Sequence, residues 1–295
     1  MVDALASGAS VLMDVGVQVP PRAQRDQRAG PDGSGSLSFP VAVLVETEQN
    51  EQMRLHSTTT GSGTLSVGLI HGLGASGQTW QPLIERMLAS GRYTVTTVDL
   101  RGHGESDRAS SYGLDDLADD VAEALPVGLH SVVGHSLGGA VLVRAVARLQ
   151  PKRAIYLDPG FGLALPTSGF AGRVFWAIPP LSLGIMGLRQ ARRSAVQQAA
   201  YDPSTRELLT RSRQQFDARM ATGVFREVAF HPVAVAPPAV PSTIVLSDES
   251  PAVLPDAMAA GLEREGWQIR RLAGIHHDMH LEDPDRTFGA IEDVL

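Results

Sequence analysis

Between Leu65 and Asp158, short apolar runs rich in β-branched residues alternate with longer stretches that are apolar on one side only. The run Leu65-Ser66-Val67-Gly68-Leu69-Ile70 reads as a strand ending at His71-Gly72. After it, Trp80, Leu83, Ile84, Met87 and Leu88 keep the spacing of one helix face, closed by Gly91. Tyr93–Val98 is again a strand, ending at Asp99. Leu114, Leu117, Val121 and Leu125 mark a second helix, with Asp115, Asp116, Asp119 and Asp120 assigned to its wet side. A strand over 131–134, a helix after Ser136 and a strand at Arg153–Leu157 continue the pattern. Strands separated by whole helices run parallel, so the expected fold class is α/β: a mainly parallel sheet with helices on both faces.

The rhythm stops at Gly162. From 162 to 235 an apolar stretch punctuated by Pro and Gly leads into a charge-rich helical segment around 189–226. We read 162–235 as a helical cap inserted over the loop edge of the sheet. The core resumes with Ser242–Leu246, a helix over 256–265, a strand over 267–272 and a last helix after Pro284. On this reading 37–161 and 236–295 are two parts of one core. Ahead of them, 1–36 reads as a disordered extension, because 20–36 is rich in Pro, Gly, Arg, Gln, Asp and Ser with little to bury. The runs 41–45 and 53–60 are expected to be early strands.

Composition narrows the partners. Hydrophobic residues make up 43% of the 295, enough for a substantial core. With 25 basic against 32 acidic residues the net charge is −7, which argues against nucleic acid, whose phosphates need a concentrated basic surface. Cysteine is absent, so the sequence offers no disulfide, thiolate metal site or cysteine nucleophile, as suits a cytoplasmic protein. The start carries Asp3 and Asp14 without a basic region, unlike a signal peptide. The most apolar region, 161–188, is broken by Arg173, Pro179 and Pro180, so no transmembrane segment is expected.

Four segments at the ends of expected strands carry the chemistry, at the edge where open α/β sheets bind ligands. In Val132-Val133-Gly134-His135-Ser136-Leu137-Gly138-Gly139-Ala140, Gly134, Ser136 and Gly138 fit the G-x-S-x-G pattern of a nucleophile elbow. A side chain on so sharp a strand-to-helix turn needs glycines around it, because the two backbones approach too closely for a Cβ. The helix begins at the serine, so its free N–H groups favour negative charge there. The loop from His71 to Trp80 contains Gly72, Gly74 and Gly77, which let backbone N–H groups approach a substrate oxygen. In Asp99-Leu100-Arg101-Gly102-His103-Gly104-Glu105-Ser106 the charged groups are expected to pair with one another and fix the loop.

The fourth segment, from Gly274 to Pro284, can supply a general base, since a histidine titrates near working pH. Its three histidines, His276, His277 and His280, also raise a metal site. His277 and His280 are not an i,i+4 pair and no second ligand cluster is evident in the sequence, so no metal is assigned. His276 is read as a loop residue and His280 as a hydrogen-bonding neighbour.

Together these segments resemble the α/β-hydrolase superfamily over about 41–295. The residues that carry the resemblance are His71-Gly72-Leu73-Gly74, Asp99-x-Arg101-Gly102-His103-Gly104-x-Ser106, Gly134-His135-Ser136-Leu137-Gly138-Gly139, and His277 followed by His280-Leu281-Glu282-Asp283-Pro284. The resemblance implies Ser136 as nucleophile, His277 as base, and the backbone N–H groups of Leu73 and Leu137 as an oxyanion hole. His277 holds the family's spacing to the Leu-Glu-Asp-Pro segment. A cap between the family's sixth and seventh strands matches 162–235. The family's acid usually follows strand seven in a Gly-Asp-x-Asp-like turn. That turn here reads Ser247-Asp248-Glu249-Ser250-Pro251, with a serine, Ser250, in the acid's place. Other members place the acid after strand six, where Asp158 stands and keeps the order Ser, acid, His. Asp158 is the first candidate and Asp248 the runner-up.

The function so implied is carboxylesterase-like: hydrolysis of a small, largely apolar ester, thioester, lactone or amide through an acyl-serine, with no metal or organic cofactor. A serine at the elbow argues against haloalkane dehalogenase and epoxide hydrolase chemistry, which in this superfamily uses an aspartate there. Candidate pocket residues are His71, Gly72, His135, Phe161, Phe170, Phe175 and Trp176. Two other readings share the fold. One is a small-molecule binding or sensor protein with little turnover, suggested by the missing strand-seven acid and by His276 in place of a small residue. The other is a C–C hydrolase or lyase. The apolar cap also offers a surface for a homodimer or for membrane contact.

Overall fold

In the computed structural model, which describes residues 53–295, alternate residues of each central strand enter two different hydrophobic cores. The elements run β1 (Ser57–Gly61), β2 (Leu65–Ile70), α1 (Gln81–Ala89), β3 (Tyr93–Val98), α2 (Leu114–Ala124), β4 (Ser131–His135), α3 (Leu137–Leu149) and β5 (Arg153–Leu157). Four helices follow: α4 (Gly169–Ala177), α5 (Pro179–Gln198), α6 (Pro203–Gln214) and α7 (Arg219–Phe230). The chain then forms β6 (Ser242–Leu246), α8 (Asp256–Arg264), β7 (Gln268–Arg271), α9 (Met279–Glu282) and α10 (Pro284–Gly289). The seven strands among the described residues make one sheet in the order β1-β3-β2-β4-β5-β6-β7, parallel except for β1. The expected extension at 1–36 and the run at 41–45 lie outside the described residues.

The two-sided burial explains why the central strands read as continuous apolar runs. Ile70, Val132, Tyr156 and Ile244 pack on one face with α2 and α3, while Leu69, Val133, Ile155 and Val245 pack on the other with α1. Burying each such aliphatic side chain contributes about 1.5–3 kcal/mol. Pairing of Ile70 with Gly134, of His135 with Leu157 and of Leu157 with Val245 lines up the strand ends. The loops after β2, β4, β5 and β6 therefore open at one edge.

Four expectations change. The strand expected at 53–60 is β1, shifted to 57–61, with every residue exposed on the antiparallel edge of the sheet. The Pro- and Gly-punctuated stretch before 189 is itself helical: the two prolines begin α5, where a missing N–H costs nothing. Asp120 does not face water; it is 7% exposed and takes Arg101 Nε at 2.5 Å and Nη2 at 2.7 Å. The charges of the 99–106 loop thus fix it through backbone N–H groups and through α2 rather than by pairing with one another. Asp99 accepts the backbone N–H groups of Gly77 (2.6 Å) and Glu105 (2.9 Å), and Arg101 reaches across to α2.

Candidate active site

Ser136 sits between β4 and α3 at φ 52° and ψ −114°, a conformation that L-residues avoid and that costs on the order of 1–3 kcal/mol. The surroundings hold it there. Its N–H donates to the Leu157 carbonyl at 3.0 Å, and its carbonyl accepts from Gly160 at 2.8 Å. A Cβ on Gly138 would stand 2.2 Å from the Ile70 carbonyl oxygen, and one on Gly134 2.5 Å from that of Gly138. The two glycines are what let the strand and helix backbones close on the turn.

Ser136 Oγ lies 2.9 Å from His277 Nε2, and His277 Nδ1 lies 3.1 Å from Asp158 Oδ2. A proton on Nδ1 donated to the carboxylate leaves Nε2 free to accept from the serine. Asp158 is fully buried at the end of β5, with φ 40°. Its Oδ1 accepts the Ser247 N–H at 2.8 Å and the Ser250 hydroxyl, and its Oδ2 accepts the Ser247 hydroxyl. Burial pushes this carboxyl up, but the hydrogen bonds from His277, Ser247 and Ser250 outweigh it and hold the group below the ordinary value. For His277 burial pushes down, while the hydrogen bond and charge of Asp158 pull up and win. Asp248, the other candidate acid, serves the histidine loop instead: its Oδ2 accepts the Gly274 N–H at 2.8 Å and its own N–H donates to Ile275.

The Gly-rich loop after β2 is pinned by two buried histidines. His71 Nε2 accepts the Leu100 N–H at 3.0 Å, so its Nδ1–H donates to the Gly72 carbonyl at 2.7 Å. His103 Nε2 accepts the Gly74 N–H at 3.0 Å, and its Nδ1–H donates to the Arg101 carbonyl at 3.2 Å. Both rings must be neutral to do this. Burial pushes His71 down to about 4 and His103 to about 3. Among the described residues, neither the Leu73 N–H nor the Leu137 N–H has a hydrogen-bond acceptor. The first belongs to the pinned loop and the second opens α3, where the helix leaves its first donors free.

His71, Gly72 and His135 therefore support the site rather than line a pocket. His135 is buried and its Nε2–H donates to the His277 carbonyl at 2.9 Å, tying the elbow to the histidine loop. The other aromatic candidates also lie elsewhere. Phe161 is fully buried against Tyr156 and Trp267. Phe170 is 80% exposed, and Phe175 and Trp176 pack on each other, Trp176 also on Phe230. A cavity of about 540 Å³ reaches His277, walled by Leu163, Leu165, Leu183, Phe225 and Val253, with Arg193 and Glu249 as its charged residues. None of these wall residues stood out in the sequence, because their meeting depends on how α5 and α7 fold over the sheet. A larger, polar cleft of about 710 Å³ lies between α1 and α6 and touches neither Ser136 nor His277.

Of the neighbouring histidines, His276 is a loop residue, as expected, but the side-chain hydrogen bond expected of His280 falls to it. His276 is the hydrogen-bonded one: its Nδ1 meets Glu282 at 2.9 Å, which raises its pKa. His280 is buried, tilted against Trp80 and His135 with centroids 4.4 and 4.6 Å apart, and burial pushes it far below the ordinary value.

Residues 69–290 match the family described as "Alpha/beta hydrolase family". The chain belongs to that family. It is 35% identical over 122 residues to the pimeloyl-(acyl-carrier protein) methyl ester esterase of Nitrosomonas europaea, a match covering 41% of this chain and 45% of that one. To the esterase of the same name from Methylococcus capsulatus it is 33% identical over 171 residues, 57% of this chain and 65% of that one. The 2-(acetamidomethylene)succinate hydrolase of Mesorhizobium japonicum is 38% identical over 101 residues, 33% of this chain and 35% of that one. The chain thus spans less than two thirds of the length of these relatives. Among solved structures, a thermophilic esterase from Thermogutta terrifontis superposes with a TM-score of 0.60 at 22% identity, over 84% of this chain and 94% of that one. The enol-lactonase of Burkholderia xenovorans gives 0.62 at 19%, over 82% and 96%. These two share the fold.

Proposed function

We propose that the protein hydrolyses a small ester through an acyl-serine formed on Ser136. The observation that carries this reading is the chain of contacts from Ser136 Oγ to His277 Nε2 (2.9 Å) and from His277 Nδ1 to Asp158 (3.1 Å). His277 takes the Ser136 proton as Oγ bonds to the substrate carbonyl carbon. The carbonyl oxygen, now carrying the negative charge, rests on the Leu73 and Leu137 N–H groups. Collapse expels the alcohol, to which His277 returns the proton. Water then attacks the acyl-serine with His277 again as base, releasing the acid and restoring Ser136.

The helices α4–α7 serve as the cap, and the cavity they help to enclose selects the substrate. Its aliphatic and Phe225 walls favour an apolar acyl or alcohol group. The esterase names among the relatives make methyl esters the first substrates to try. The sensor reading drew on a missing acid, and the carboxylate of Asp158 on His277 speaks against that ground. A C–C hydrolase would use the same serine and differ only in the substrate. A series of methyl and p-nitrophenyl esters of graded chain length, run beside Ser136→Ala, tests the proposal. Turnover abolished by Ser136→Ala is the expected result; turnover that survives the substitution contradicts it.

A further inference from the structure

Helices α4 and α5 each carry an exposed apolar stripe. Phe170, Val174 and Ile178 recur at helical spacing along α4 and its C-cap, and Leu181, Ile185 and Leu188 along α5; each is at least half exposed. A contiguous exposed patch of large apolar side chains marks a contact surface. Arginines flank it: Arg173, Arg189 and Arg192 are all exposed. The segment 162–235 carries nine arginines against four carboxylates, in a chain whose net charge is −7. Among the described residues no single helix is long and apolar enough to cross a membrane. Only α4 together with 181–198 reaches that length and hydropathy, and the pair is bent by 92°. So sharp a bend suits an element lying in an interface better than one crossing it.

We infer that this face docks on an anionic lipid surface. Apolar side chains ringed by arginine are what a helix needs to sit at the headgroup boundary, and the charge would orient the otherwise acidic molecule with this face toward the lipid. A second copy is a poorer occupant, because a two-fold contact would bring the two arginine-flanked faces together. Helix α5 also links the face to the site: Leu183 and Gly187 line the cavity that reaches His277, while Leu181, Ile185 and Leu188 lie exposed. Under the hydrolase reading, on which this step alone rests, an apolar ester would pass from the lipid into the cavity along α5.

Flotation of the full chain with phosphatidylcholine vesicles, with and without phosphatidylglycerol, tests the inference. Binding is expected with phosphatidylglycerol, several-fold weaker without it, and reversed by high salt. The pair Leu181→Asp and Ile185→Asp is expected to abolish flotation, and Arg189→Glu with Arg192→Glu to weaken it several-fold, with melting temperatures unchanged as the control for folding. Ser136→Ala is expected to float like the unaltered chain, so loss of turnover and loss of binding are read separately. Failure to float, equal flotation on both vesicles, or a dimer in sedimentation that the aspartate pair splits would each overturn the inference.

Discussion

His277 Nδ1 meets Asp158 Oδ2 at 3.1 Å across 119 residues of chain, and the carboxylate comes from the end of β5 rather than from the turn after β6. The β6 turn still takes part. Ser247 and Ser250 both donate to Asp158, so Ser250, at the position where the resemblance places an acid, is a hydrogen-bond donor to Asp158. An ionised carboxylate in a fully buried place needs such donors, and their removal would leave the charge uncompensated.

Asp158→Asn is expected to lower kcat by about 10³–10⁴-fold, because the amide no longer holds the imidazole in the productive tautomer. Asp248→Asn is expected to stay within a few-fold of the unaltered protein, since Asp248 braces the loop through Gly274. Steady-state kinetics of the two variants on one ester checks both. Comparable losses would contradict the assignment.

The acid limb of kcat/KM is expected above pH 6.5, the ordinary histidine value, because Asp158 raises His277. The base acts when neutral, so activity rises as pH passes upward through this raised pKa and is lost below it. In Asp158→Asn burial is opposed only by the weaker pull of Asp278 and Glu249, and the limb is expected to move to lower pH. A pH–rate profile of both proteins reads the shift and its sign.

His103→Leu removes the acceptor of the Gly74 N–H and frees the loop that carries the Leu73 donor. Loss of one oxyanion donor costs about 10²–10³ in kcat, so a displaced donor is expected to cost about tenfold or more with little change in KM. His103→Gln, which keeps an acceptor, is expected to recover part of the loss. Equal effects on kcat and KM in both variants would point to general damage instead.

Asp120→Ala takes from the Arg101 guanidinium, only 11% of whose side chain is exposed, the carboxylate it meets at 2.5 Å and leaves it only Asp116 at 3.7 Å. Breaking such a pair by removing one partner costs about 3–5 kcal/mol, and urea unfolding is expected to show a loss of that size. Asp115→Ala, whose carboxylate is 88% exposed against Arg144, is expected to change stability by less than about 1 kcal/mol.

The elbow was legible because its demand is local: Gly134 and Gly138 are needed wherever a strand turns this sharply into a helix. That Asp158 would meet His277 was legible through its place after a strand and before the histidine in chain order. Asp120 was misplaced because helix periodicity sets it beside Leu117 and Val121 at the margin of the apolar face, and only Arg101, nineteen residues away, decides that it is buried. The pocket was the least legible. Phe161 follows a strand directly and is absorbed by the core with Tyr156 and Trp267, whereas the cavity walls come from segments as far apart as Leu163, Phe225 and Val253. No local pattern records which of them will meet.

Ser136 is proposed to be a nucleophile activated by His277. Treating the folded chain with a fluorophosphonate and locating the adduct by mass spectrometry is the direct test. One phosphonyl group is expected on Ser136, absent in Ser136→Ala and formed far more slowly in His277→Ala. A folded chain that stays unlabelled, or is labelled at another residue, would contradict it.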